Sequence, residues 1–191
     1  MSKNPVTLGI ILYVITMLIF FAIYFISGVD YFNNSLIANA FVLPLLYCVF
    51  AYLSVNSYWK SKGIISFKDA FSKAFTPMFV GGFLSVVSMF VFLNFVDSDA
   101  KDLLNYQYVE RQKAELNKEY ESAKQVLAKK EDIEELEIKY RQRIQSFEPE
   151  RVKDKDMLTF RLFSSYFAAI LIFYLILSLF FGAFFRGRTT K

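Results

Sequence analysis

Asp97, Asp99 and Asp102 are the one carboxylate cluster in this chain whose spacing could attract a divalent cation. The spacing lacks the remaining positions of a calcium loop, and its ordinary reading is a polar helix start after Val96. The chain contains no His, which removes His-based acid–base catalysis, Ser–His and Cys–His pairs and most zinc sites. Cys48, the single cysteine, lies in an apolar run that disfavours thiolate, and it cannot form an intrachain disulfide. There is no phosphate-binding glycine loop and no pair of catalytic carboxylates. The expectation is a protein that is not an enzyme, with no metal or cofactor.

The elements that would position any site are set by a segregated charge pattern. Residues 97–161 hold 16 acidic and 14 basic side chains, a net −2, out of 18 acidic and 22 basic in all 191 residues. A soluble domain needs a wet face on each element, so charge spreads along its sequence. Here long uncharged blocks alternate with polar ones, which excludes a soluble globular fold. Nucleic-acid binding is excluded too, because the overall +4 forms no basic patch.

A spanning helix needs about 20 apolar residues without charge. Val6–Ile26, Leu36–Ser54, Thr76–Val96 and Leu162–Phe185 each contain no Asp, Glu, Lys or Arg. The fold class is therefore an all-α integral membrane protein with four transmembrane helices. Residues 1–96 supply the first three, residues 97–161 a charged extracytoplasmic helical segment, and residues 162–191 the fourth with a basic tail. The first block exceeds the roughly 7–15 apolar residues of a signal peptide, so it reads as an uncleaved helix. Lys60, Lys62, Lys68 and Lys73 between helices two and three, with Lys3 and the Arg186–Lys191 tail, place both termini in the cytoplasm. Arg151, Lys153, Lys155 and Arg161 dissent, but they belong to a segment of about 65 residues, and long loops count little in this rule.

Between helices two and three, Tyr58 and Trp59 fall where aromatic rings favour the headgroup zone. Ser66 and Asp69 form a start resembling a capping box, and Phe67, Ala70, Phe71, Ala74 and Phe75 recur at helical spacing. Lys68, Asp69, Ser72 and Lys73 take the polar side, which suggests a short interfacial amphipathic helix over 66–75, ended by Thr76-Pro77. The run Gly63-Ile-Ile-Ser-Phe-Lys-Asp-Ala-Phe71 resembles the signature of a four-pass family of Bacteroidota named domain of unknown function 4199. That family continues with a third span, a charged segment, a fourth span and a basic tail, here residues 76–96, 97–161, 162–185 and 186–191. The resemblance implies a Gram-negative inner membrane with the charged segment in the periplasm, and it brings no activity and no functional residues.

No Gly or Pro interrupts residues 103–147, where helix-forming residues dominate. Apolar positions Val109, Leu116, Tyr120, Ala123 and Leu127 form one stripe, and Ile133, Leu136, Tyr140, Ile144 and Phe147 a second. The step from Leu127 to Ile133 breaks the phase, which predicts a helical hairpin joined near 128–132 and ended by Glu148-Pro149. In the spans, Gly81, Ser85 and Ser88 share one face of helix three. Ser164/Ala168 and Ser165/Ala169 repeat small-xxx-small spacing on helix four, so both sets are expected to pack helices closely. Pro44 is expected to kink helix two.

Two functions fit this sequence. The first is a non-enzymatic inner-membrane scaffold or accessory protein, embedded in the lipid bilayer, whose periplasmic hairpin meets a membrane or periplasmic protein or a second copy of the chain. The alternative is an oligomeric channel or small-solute permease. Ionisable residues inside a span usually mark ion or proton paths, and their absence favours the scaffold.

Overall fold

The computed structural model describes residues 4–126, 130–147 and 156–187, and every regular element among them is helical. Helix α1 spans Pro5–Ile26, and Asn4 caps it by accepting from Val6 N at 2.9 Å. A 3-10 turn at Gly28–Asp30, α2 at Tyr31–Ile37, a π turn at Ala38–Val42 and α3 at Leu43–Lys62 follow in one helical stretch. Next come α4 at Phe67–Val91, a π turn at Phe92–Val96, α5 at Ser98–Val126, α6 at Lys130–Gln145 and α7 at Phe160–Phe185. Pro5–Ile26, Gly28–Lys62, Phe67–Val96 and Phe160–Phe185 are each long and apolar enough to cross a membrane.

Two boundaries differ from the sequence reading. Residues Ser27–Ser35, expected as a loop, are largely helical, so the second stretch has 35 residues. At 1.5 Å each it rises about 50 Å, beyond a hydrocarbon core of about 30 Å. Side chains there are satisfied locally: Asn34 Nδ2 donates to Ser27 Oγ at 3.0 Å and Asn39 Nδ2 to Ser35 O at 2.8 Å. The second difference is at Pro77, which does not end a short helix. Residues 66–75 are the cap and first turns of α4, and Pro77 is buried inside that helix. Proline lacks the N–H that would bond Lys73 O. One residue earlier, Thr76 Oγ1 donates back to Ser72 O at 2.7 Å, and the helix continues through the proline to Val91. Pro44, expected to kink helix two, lies in the first turn of α3, just after the π turn at Ala38–Val42.

The chain divides into two compact units, one built from the four spans and the other from Asp97–Thr159. In the first, α4 packs on α1, α3 and α7. Small residues allow it: Ala70 and Ala74 are fully buried, as are Met78 and Pro77. The sequence reading puts Phe67, Phe71 and Phe75 with these alanines on the apolar side of a short interfacial helix. They form a ladder with Phe79 and Phe83, rings 5.5–6.3 Å apart at successive i, i+4 positions. Phe67, Phe79 and Phe83 remain more than a third exposed. In the second unit, α5 and α6 end and begin at Val126 and Lys130. Lys130–Asp132, expected in the joint, are therefore helical; the rest of that joint and Glu148-Pro149 lie outside the described residues.

Candidate functional site

The turn from α3 to α4 explains why the Gly63–Phe71 run has its composition. Gly63 closes α3 at φ 81°, a conformation that suits glycine, and its N–H bonds Trp59 O at 2.8 Å. Ile65 is buried in the span core, and its carbonyl accepts from Gly187 N at 3.4 Å, past the end of α7. Ser66 Oγ accepts from Asp69 N at 3.1 Å and donates to Asp69 Oδ2 at 2.7 Å, closing the expected cap. The Phe67 ring lies where a Cβ on Gly182 would meet it at 2.8 Å. Lys73 Nζ stands 4.7 Å over the Tyr58 ring, Trp59 meets Phe185 edge-on at 5.6 Å, and Lys68 is exposed. The run is a packed corner whose cations remain outside.

Deeper among the spans lies a cavity of about 310 Å3. All four stretches line it: Thr16 from α1, Asn39 to Tyr47 from the second, Gly82 to Met89 from α4 and Ala169 to Tyr174 from α7. The rings of Tyr47 and Tyr174 stack in parallel at 5.3 Å and 10°. Thr16 Oγ1 donates to Leu12 O at 2.8 Å and stands 3.4 Å from Tyr47 OH. All three side chains are buried. Gly82 is what admits the Tyr174 phenol: a Cβ there would overlap its hydroxyl and stand 2.8 Å from Cε2.

Of the residues picked from sequence, Gly81 and Ser85 are buried. A Cβ on Gly81 would stand 3.0 Å from Gly9 O and from Leu12, so α4 and α1 approach backbone to backbone here. Ser85 Oγ donates to Gly81 O at 2.7 Å, and half-buried Ser88 shares a 3.0 Å hydrogen bond with Tyr13 OH. Ser164, Ser165, Ala168 and Ala169 are exposed within this chain. The buried stripe of α7 is instead Tyr174, Ser178, Phe181, Gly182 and Phe185. Bulk decides this: the aromatic rings of α7 fill the space between α3 and α4, with Gly182 letting Phe67 approach. Thr16, Tyr47, Gly82 and Tyr174 were not singled out from sequence. The glycine pair Gly81-Gly82 inside a span was the available signal.

In the Asp97–Thr159 unit, Asp97 Oδ1 accepts from Ala100 N at 3.0 Å and caps α5, the ordinary reading of the aspartate cluster. The Tyr120 and Tyr140 rings stack at 4.3 Å, Tyr140 OH bonds Asn117, and Arg143 Nη1 meets Glu119 Oε2 at 3.4 Å, so α5 and α6 touch along facing sides. Asp156 collects three donors: Lys101 Nζ at 2.8 Å, Asn105 Nδ2 at 3.0 Å and Leu158 N at 2.8 Å. Burial alone would raise its pKa, but these bonds outweigh it and hold the carboxyl below its ordinary value. Exposed pairs such as Lys139–Glu135 and Arg141–Glu137, both at 2.6 Å, are screened by solvent and add little to stability.

No curated protein and no solved structure matches this chain. One family model, described as Protein of unknown function (DUF4199), matches residues 7–187. That stretch runs from the first turn of α1 to the residue that closes α7 against Ile65, and it includes the Gly63–Phe71 corner. With four membrane-spanning helices and a match over nearly its whole length, the chain belongs to the DUF4199 family of four-pass membrane proteins.

Proposed function

We propose that this protein is a non-enzymatic inner-membrane scaffold whose Asp97–Thr159 unit, a helical hairpin outside the cytoplasm, carries its partner contacts. The observation that supports this most is the separation of the chain into a span unit and a charged helical unit. Among the described residues the buried polar side chains are Thr16, Ser54, Ser85 and Ser178, with no Asp, Glu, Lys or Arg beside them. A proton or ion path would need charged or water-lined groups there. The charged unit offers the large aqueous surface, including exposed Tyr106, Val126 and Ile138. Its occupant is a membrane or periplasmic protein, or another copy of the chain.

Crosslinked pull-downs from membranes test this. Replacing Leu103–Glu148 with a Gly/Ser linker of equal length spans about 40 Å root-mean-square, enough to reconnect the helices. The four spans should remain inserted while recovery of crosslinked partners falls. Unchanged partner recovery, with solute flux intact in vesicles, would favour a channel or permease instead.

A further inference from the structure

We propose that the cavity among the four spans is a binding site for a neutral lipophile with a single oxygen headgroup, a hydroxyl or a carbonyl. At about 310 Å3 it lies at the lower end of ligand sites, about 300–1,000 Å3. It therefore suits a small molecule or the leading end of a longer one. Leu43, Val86, Met89, Ile170 and Phe173 give it an apolar wall, and no Asp, Glu, Lys or Arg lines it. A carboxylate or phosphate drawn in would lose its hydration without gaining a counter-charge. The ligand is thus uncharged.

Its headgroup is set by the hydroxyls. Thr16 has one proton, and the 2.8 Å bond to Leu12 O takes it. Tyr47, 3.4 Å away, is then placed to donate to Thr16 Oγ1. In that order the phenol oxygens keep lone pairs, which accept from an alcohol. Tyr174, on the same cavity wall, has a proton of its own to donate to a carbonyl. Ser85 competes for neither, since its proton goes to Gly81 O. The parallel stack of Tyr47 on Tyr174, and the missing Cβ at Gly82, leave room for both phenols beside the cavity they line.

Photolabelling with a diazirine-tagged decanol, on the full-length protein in lipid vesicles, tests the site. Label is expected in the segments holding Val86–Met89 and Ala169–Tyr174. Excess 1-decanol or 2-decanone should suppress it, while decane and decyl phosphate should not. Tyr174→Phe should raise the decanol concentration needed for competition about fivefold, the worth of one neutral hydrogen bond. Ala169 lines the cavity but is exposed and lies outside the hydroxyl group, so Ala169→Phe should fill the space and abolish labelling even if the tyrosine variant folds poorly. Equal competition by decane or decyl phosphate, or labelling that survives Ala169→Phe, would overturn the proposal. So would label spread evenly over outward residues such as Leu18 and Leu45.

Discussion

At the scale of single residues, the span unit depends on where side chains are missing. Gly82 faces the Tyr174 ring, which is held by its stack on Tyr47 and has little room to retreat. Gly82→Ala should therefore destabilise the protein by about 1–3 kcal/mol, the usual cost of overpacking. Ala168→Leu, on the exposed side of α7, should stay within about 0.5 kcal/mol. Thermal unfolding in one detergent, read by intrinsic fluorescence, compares them; equal midpoints would remove the close-approach claim. Gly81, Ser85 and Ser88 were legible because three small residues on one helix face mark a packing stripe. The small residues of α7 were not, because Ser164–Ala169 offers that spacing in two registers and spacing does not say which face meets a neighbour. The tyrosine pair was illegible for another reason: its members are 127 positions apart in sequence and meet only through the packing of the spans.

At the scale of elements, uncharged length and helix-forming composition were enough to find four spans and the two charged helices. The helix ends were harder, because they depend on local bonds that composition does not encode. Pro77 lies inside α4 without ending it, and Asn34 and Asn39 make local side-chain bonds within the second stretch. The phase break after Leu127 falls outside the described residues, while Tyr120 and Tyr140, one from each predicted stripe, stack at 4.3 Å. Within the Asp97–Thr159 unit, Asp156 ties Lys101 and Asn105 of α5 to the backbone at Leu158. Its folded pKa is below the unfolded value of about 3.9. Its contribution is therefore present above pH ~4 and lost as pH falls through the folded value. Protection of the Met157 and Leu158 amides, as the ratio of intrinsic to observed exchange rate, should be high at neutral pH and fall below about pH 4. Asp156→Asn should exchange faster at neutral pH and show less of that acid step. A wild-type profile flat to pH 2 would contradict the role given to this carboxylate.

At the scale of the whole molecule, the account rests on a division of labour. In the proposed function, four packed helices with long uncharged stretches anchor the chain, and the charged helices between α4 and α7 work outside the cytoplasm. The number of spans fixes that the N-terminus and C-terminus share a face, and the lysines at Lys60, Lys62, Lys68 and Lys73 favour the cytoplasm for it. Inserting a reporter enzyme that is active only in the periplasm, once at Lys130 and once after Lys191, tests this most directly. Activity is expected from the Lys130 insertion and none from the C-terminal fusion. Activity at the C-terminus with silence at Lys130 would put the charged helices in the cytoplasm and contradict the account.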